Sequence, residues 1–303
     1  MLPLVAYTDK LSVAPGEALS VMVSSFGARQ YRADLRRIIQ GDTNPQGPGY
    51  KDQPVALDLG GSRAAVAKGF YPGSCVIIPG QGMLGDLRAF TLALAMRPSL
   101  IDGRESSLIA LPGFARIGID AAGCVFAEAF GTRLVISAAV ALETWHIVSF
   151  SASAEGGLTL AVTCERDAAS ADIAPSLATA TVQPSPCRAD EVLIAATRGG
   201  DGRPAGFFDG KIDRPALFAT DLSHEAVRRL LADFERLSRQ RSLRAAWDFS
   251  QRMTTQVICD ISPFHLDGRI HNAPARAMTG WQWKGQELDW KKRPDLYSAI
   301  HFH

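Results

Sequence analysis

The chain has 303 residues, 47% of them hydrophobic and 21% charged, with a formal net charge of +1. A chain of this length buries about three quarters of its unfolded surface without a metal or disulfide staple, and its mixed charges create no global field for nucleic acid or an anionic membrane. No apolar run approaches the ~18 residues of a membrane span, and the start, Met1 to Lys10, lacks the pattern of a secretion signal, so a cytoplasmic chain is expected.

Five cysteines, Cys75, Cys124, Cys164, Cys187 and Cys259, are odd in number and show no C-x-x-C spacing. They read as free, buried thiols of a reducing compartment, and no particular thiol stands out as a nucleophile.

Residues 1–66 read as short strands between polar turns. Leu2 to Tyr7 and Leu19 to Val23 are strand candidates on either side of the turn Ala14-Pro15-Gly16-Glu17. In Tyr31 to Ile39, Tyr31, Ala33, Leu35 and Ile39 share one parity and Arg32, Asp34 and Arg36 the other, the pattern of a half-solvated strand. The cluster from Gly41 to Gly49 breaks any regular element; its glycines suit a phosphate cradle only in a strand–loop–helix context with a lysine, which is missing.

From residue 67 to 250, short strands recur about every ten residues, as in a sandwich or barrel. Candidates are Phe90–Met96, Ser107–Leu111, Phe114–Ile119, Cys124–Phe126, Leu134–Ala139, Trp145–Phe150, Leu158–Cys164 and Glu191–Ala196. Without helices between them, a parallel βαβ sheet is excluded and the fold class is all-β. One helix is expected near 223–238, capped by Ser223, with Val227, Leu230, Leu231, Phe234 and Leu237 on one apolar stripe docked on the sandwich. Arg228, Arg229, Asp233 and Glu235 fall on its wet side. In residues 251–303, Trp281, Trp283 and Trp290 are interleaved with Lys284, Lys291, Lys292 and Arg293. Such a cluster reads either as a stacking platform for single-stranded nucleic acid or as anchoring aromatics packed on the fold; near-zero net charge favours the second, so no nucleic-acid partner is expected.

Two resemblances follow from these segments. Phe90–Met96, Trp145-His146, Phe208-Asp209-Gly210-Lys211-Ile212-Asp213, Asp221-Leu222-Ser223 and Ala246-Trp247-Asp248-Phe249 together resemble a concanavalin-like, laminin-G-type jelly roll, in which Trp145 and Phe249 would fill the core between two antiparallel sheets. Ala6-Tyr7-Thr8-Asp9 with Pro15-Gly16-Glu17, Tyr31-Arg32-Ala33-Asp34-Leu35, Gly41-Asp42 with Asn44-Pro45 and Gly47-Pro48-Gly49, the run His271 to Ala277 with Gly280 and Trp283, and Tyr297 to His303 resemble the large (beta) subunit of bacterial N,N-dimethylformamidase. That resemblance implies a family that hydrolyses the C–N bond of small formamides, with a lectin-like region ahead of a catalytic region, a small helical partner subunit, and a mononuclear iron held by two tyrosines and a glutamate. It places those ligands beyond His303. The expected organisation is therefore an N-terminal β segment (1–66), a lectin-like jelly roll (67–250), and an irregular tail (251–303) that begins a truncated catalytic region. The expected function is that of a non-catalytic scaffold and subunit-contact region, inactive alone, oligomeric or prone to aggregate; the alternative is a free-standing lectin-like module that binds carbohydrate or protein.

Some residues still suit chemistry of their own. His301 and His303, two apart on a strand, face one side and suit a shared metal. His271-Asn272, and His265 with Asp267, suit acid–base work or a structural role. Asp201-Gly202, Asp209 and Asp213 suit either calcium, as in lectin-like folds, or turns. No catalytic or metal residue is assigned, and no G-x-S-x-G or H-E-x-x-H signature is present.

Overall fold

The computed structural model describes residues 4–67, 73–80, 82, 87–165, 174–185, 189–283, 285 and 297–303, without the side chain of Phe234. Cys187, Lys284, Trp290, Lys291, Lys292 and Arg293 lie outside the described residues. The chain divides into two compact units, Met1–Tyr71 and Pro72–His303.

The first unit contains three two-stranded antiparallel ribbons. β1 (Leu4–Thr8) pairs with β2 (Val21–Ser25), β3 (Gln30–Arg32) with β6 (Ser62–Ala64), and β4 (Arg36–Gly41) with β5 (Tyr50–Pro54). The stretch expected as one strand from Tyr31 to Ile39 is thus split between β3 and β4 and pairs with two different partners. The breaker cluster is the β4–β5 turn. Asp42 Oδ1 accepts from the Asn44 amide at 2.8 Å, Asn44 Oδ1 from the Gln46 amide at 3.1 Å, and Asn44 O from the Gly47 amide at 2.9 Å. These amides are spent inside the turn, which leaves none of the three for a phosphate.

The second unit is an antiparallel sandwich built from β7 (Cys75–Pro79), β8 (Phe90–Pro98), β9 (Ser106–Leu111), β10 (Ala115–Ile119), β11 (Cys124–Ala129), β12 (Thr132–Ala139), β13 (Trp145–Ala152), β14 (Gly157–Glu165), β15 (Ser176–Thr181), β16 (Glu191–Ile194), β19 (Gly210–Phe218), β20 (Leu243–Asp248), β21 (Val257–Asp260), β22 (Gly268–His271), β23 (Ala275–Met278) and β24 (Ala299–Phe302), with a small ribbon β17 (Thr197–Arg198) and β18 (Pro204–Ala205). One sheet runs β12-β11-β10-β9-β16-β7-β22-β21 and the other β20-β19-β8-β13-β14-β15, with β24 also on β19 and β23 on β24. They join at one edge where β20 pairs with β21, and β12 lies against β15 at the other. This is a jelly-roll type of closure, in which few strand edges stay unpaired.

Period-two alternation places the core. On β8, Phe90, Leu92, Leu94 and Met96 point between the sheets, where they meet Phe150, Leu217, Trp247, Phe249 and Phe302. Ala93 and Ala95 point the other way, into a second cluster with the helix. Phe249 fills the inter-sheet core as expected, but Trp145 packs on the helix side, and Trp247 takes the central place with its indole N–H donating to Leu266 O at 2.9 Å. An indole this large is buried only where its N–H finds an acceptor.

The helical stripe docks on the outer face of the β8-containing sheet. Ser223 caps α1 (His224–Ala232), its side chain accepting from the Ala226 amide. Asp233 is extended (φ −135°, ψ 100°), ends α1 and caps α2 (Phe234–Ser238), so the single expected helix is two. Val227, Leu230, Leu231 and Leu237 bury against Ala93, Ala95, Ile147, Phe218 and Trp281. Arg228, placed by pattern on the wet side, instead pairs with Glu165 at 2.9 Å. Leu230 sits at the rim of this contact, 6% exposed, so Leu230→Ala is expected to cost about 2 kcal/mol, the low end for a buried leucine. An unchanged denaturation midpoint would exclude the docking.

Residues 251–303, expected as an irregular tail, alternate turns and loops with short strands where described. Four short strands, β21 to β24, join the two sheets. The chain turns between β22 and β23 through left-handed Asn272 (φ 58°) and Ala273 (φ 46°), and β23 itself is broken in register at left-handed Ala277 (φ 57°). No helix among the described residues is long and apolar enough to cross a membrane.

Candidate functional site

With the helices on one outer face, the other outer face carries the most developed surface chemistry. Phe126 on β11 belongs to neither interior cluster, yet it is fully buried. It lies across Gly118 on β10, where a Cβ would overlap its ring, so glycine at 118 is what lets the ring lie flat on the strand. Two guanidinium groups cover it, with Cζ of Arg133 at 3.7 Å and of Arg116 at 4.8 Å from the ring centroid. Glu128 accepts from Arg116 at 2.8 Å and from Arg133 at 2.7 Å, and Glu105 from the same two arginines at 2.6 and 2.9 Å. Burial alone would push the Glu128 carboxyl up; the hydrogen bonds and charge of Arg116 and Arg133 outweigh it and hold it below the usual carboxylate range.

Beside this lattice runs a groove of about 490 Å³ lined by Phe114, Arg116, Glu128, Arg133, Thr197 and Arg198. Arg198 is itself fixed by a bidentate pair with Glu191 at 2.7 and 2.5 Å. The lining is made of planar donors, one carboxylate and aromatic surface, a set suited to holding a polar ligand or a polypeptide and without a paired nucleophile and base.

A second cleft of about 380 Å³ opens at one end of the sandwich, lined by Leu100, Asp102, Arg104, Phe207, Asp209 and His303. His301 and His303 do fall on one side of β24, since Ile300 and Phe302 between and beside them enter the core. His301 Nε2 faces Asp209 Oδ1 at 3.7 Å, and His303 is tied by its backbone to Ser74. The three aspartates proposed for calcium are not brought together. Asp201 caps its own turn through the Arg203 amide, Asp209 faces His301, and Asp213 is fully buried. His265 (φ 50°) occupies a turn, Asp267 accepts from the Asp260 amide, and Asn272 donates to Gly73 O at 2.7 Å. Among the described residues no group of three or more His, Cys, Asp or Glu is placed to hold a metal ion. A two-tyrosine, one-glutamate iron site does not fit the sandwich unit, which has a single tyrosine, the buried Tyr297.

Two buried polar constellations were not legible from the sequence. Asp213 on β19 accepts from Ser298 Oγ at 2.8 Å and from the Trp281 amide at 3.1 Å, with Arg214 Nε 3.9 Å away. Gly280 closes the nest, because a Cβ there would overlap both Ser298 and Asp213. The other lies under α1, where His224 Nδ1 bonds Ser149 Oγ at 2.7 Å and its Nε2 bonds Thr163 Oγ1 at 2.8 Å. Among the tail residues that carry the family resemblance, Arg276 makes an extensive set of backbone contacts. Arg276 donates to the carbonyls of Phe249, Gln251, Thr255 and Val257 at 2.7–3.1 Å and so pins the loop between β20 and β21.

Comparison with known proteins agrees with this architecture. No family model matches the chain. A solved structure from Bacteroides ovatus, provisionally described as a carbohydrate-binding protein, superposes with a TM-score of 0.52 at 12% identity, covering 74% of this chain and 65% of that one. That likeness shows the fold, a lectin-like sandwich. The N,N-dimethylformamidase beta subunits of Paracoccus aminophilus and of an Alcaligenes species are 30% and 27% identical over 98% of this chain and 43% of their own length. From end to end, therefore, this chain is a homologue of N,N-dimethylformamidase beta subunits, spanning less than half of their length and carrying a lectin-like sandwich.

Proposed function

We propose that the chain serves as the lectin-like, non-catalytic region of an amidohydrolase of the N,N-dimethylformamidase type, acting as scaffold and as a contact for the catalytic region and for a smaller subunit. The carrying observation is the match itself, which takes in 98% of the chain and only 43% of each relative. Three residues that carry the resemblance, Gly280, Ser298 and Arg276, support the reading, since they hold neighbouring segments together, the first two around Asp213 and Arg276 on the loop between β20 and β21. In this reading residues outside this chain would hold the iron, which when bound would supply Lewis-acid chemistry to the amide carbonyl. What these residues contribute is a rigid face. The purified chain is expected to release no amine from N,N-dimethylformamide, with or without added iron. Iron-dependent release, lost in a His301→Ala/His303→Ala variant, would overturn the proposal.

A free-standing lectin-like module is the alternative, favoured by the open groove beside Phe126 and Arg133. Glycan-array binding that Arg133→Ala abolishes would establish it.

A further inference from the structure

The unit Met1–Tyr71 forms hydrogen-bonded ribbons, and none of its described residues joins an apolar core cluster. Of its described residues only Ser24 and Ser25 are buried. Fourteen large apolar side chains between Tyr7 and Val66 are exposed, against five among the described residues from 73 to 303. On β4, neighbours Ile38 and Ile39 are 61% and 52% exposed at a bulge, where the register against β5 shifts. On β2, whose register against β1 is regular, neighbours Val21 and Met22 point to opposite faces and are 57% and 40% exposed. A solvated ribbon would show polar residues on at least one face. An isolated two-stranded ribbon is marginal in water, and monomers rarely expose contiguous apolar surface beyond a few hundred Å². Apolar side chains on both faces fit a ribbon inserted between layers of another polypeptide. The unit has eight basic and six acidic residues, which gives no field for a membrane or nucleic acid.

We infer that residues 1–71 form an insertion arm whose ribbons are covered on both faces by the portion of a dimethylformamidase-type beta subunit that this chain does not span. The choice of occupant rests on the functional reading above and on length: the relatives continue for more than half of their sequence outside the match, and that portion is the polypeptide most consistently at hand to cover the arm.

The test mixes the full 303-residue chain with the unmatched portion of the Paracoccus aminophilus beta subunit, produced as a separate polypeptide, with that relative's own matched segment as positive control. Hydrogen–deuterium exchange is read peptide by peptide. Complex formation should slow exchange of the amides in β2, β4 and β5 at least tenfold. Ile38→Asp with Val21→Asp should weaken the complex at least tenfold, while Leu142→Asp on the sandwich surface leaves it unchanged. Both variants should keep the thermal transition of the sandwich, so loss of binding is not loss of fold. A complex whose protection is confined to residues 73–303 would overturn the arm and leave the functional reading standing. Failure of this chain where the control segment binds would overturn both. A concentration-dependent dimer of the chain alone, abolished by Ile38→Asp, would assign the arm to a second copy and refute the occupant named here.

Discussion

Asp213→Ala is expected to lower the stability of the sandwich by about 3–5 kcal/mol, the usual cost of breaking a buried charge pair by removing one partner. The carboxylate is wholly buried, and burial pushes it up from the ordinary carboxylate range, against the opposing pull of Arg214 and the hydrogen bonds from Ser298 and Trp281. Alanine would leave the Ser298 hydroxyl and the Trp281 amide without their acceptor, and the Arg214 guanidinium buried without its counter-charge. Arg214 would keep its bonds to Leu231 O and Gln282 Oε1, which is why the helix should stay docked in what remains folded. Asp213→Asn retains an acceptor for the hydroxyl and the amide and removes only the charge, so it should cost less, about 1–3 kcal/mol. Because Gly280, Trp281 and Ser298 all lie after residue 250, the loss should also free the segment carrying β23 and β24, seen as faster hydrogen exchange in 275–302. Equilibrium denaturation of the two variants decides the point; a cost below about 1 kcal/mol for alanine would mean that the nest contributes little.

What the sequence made legible divides along physical lines. Most strands of the sandwich are legible from their apolar runs and alternation, as Phe90, Leu92, Leu94 and Met96 show on β8, whereas β7, β15 and β19 are not among the strands the sequence announces. The docked stripe was visible for the same reason at the helical period, and its break was not, because Asp233 both ends one helix and caps the next without interrupting the spacing of Leu230, Leu231 and Leu237. Strands β21 to β24 escaped notice because each has four residues, too few for a period, and because left-handed Asn272, Ala273 and Ala277 supply bends that glycine would ordinarily announce. The site residues proposed from composition, His301 with His303 and the three aspartates, were judged by proximity in sequence, whereas the Arg116–Glu128–Arg133 lattice over Phe126 is assembled across strand pairings that fix Arg116 opposite Glu128 and Glu128 opposite Arg133. Nothing local to Phe126 marks it as facing outward; only the absence of a side chain at Gly118, seen once β10 and β11 are in register, does so.

Acidification from pH 7 to 4 is expected to remove about 3 kcal/mol of stability through one buried imidazole. His224, the first residue of α1, is 9% exposed, and desolvation, with the nearby charge of Arg228, brings its pKa from 6.5 down to about 4. Its two nitrogens are each engaged by a hydroxyl, Ser149 and Thr163, and hydroxyls satisfy the neutral ring because each either donates or accepts. In the unfolded chain the ring takes its proton near pH 6.5; in the folded chain it resists until about pH 4. Between those values the unfolded state binds more protons, so stability is fully present above 6.5 and drains away as the pH falls towards 4, below which the contribution is flat. The site of the damage follows from the geometry. His224 joins α1 to β13 and β14, so the acid-weakened element is the helix on its sheet, not the core between the sheets. His271, whose pKa is also lowered by desolvation and by Arg269 and Arg198, slopes the same way, and a comparison with His224→Gln isolates the share of His224. Glutamine does not titrate, so the stability of this variant should fall less steeply from pH 6.5 to 4 by about 3 kcal/mol. Parallel pH profiles for the two proteins would show that His224 does not carry the acid sensitivity.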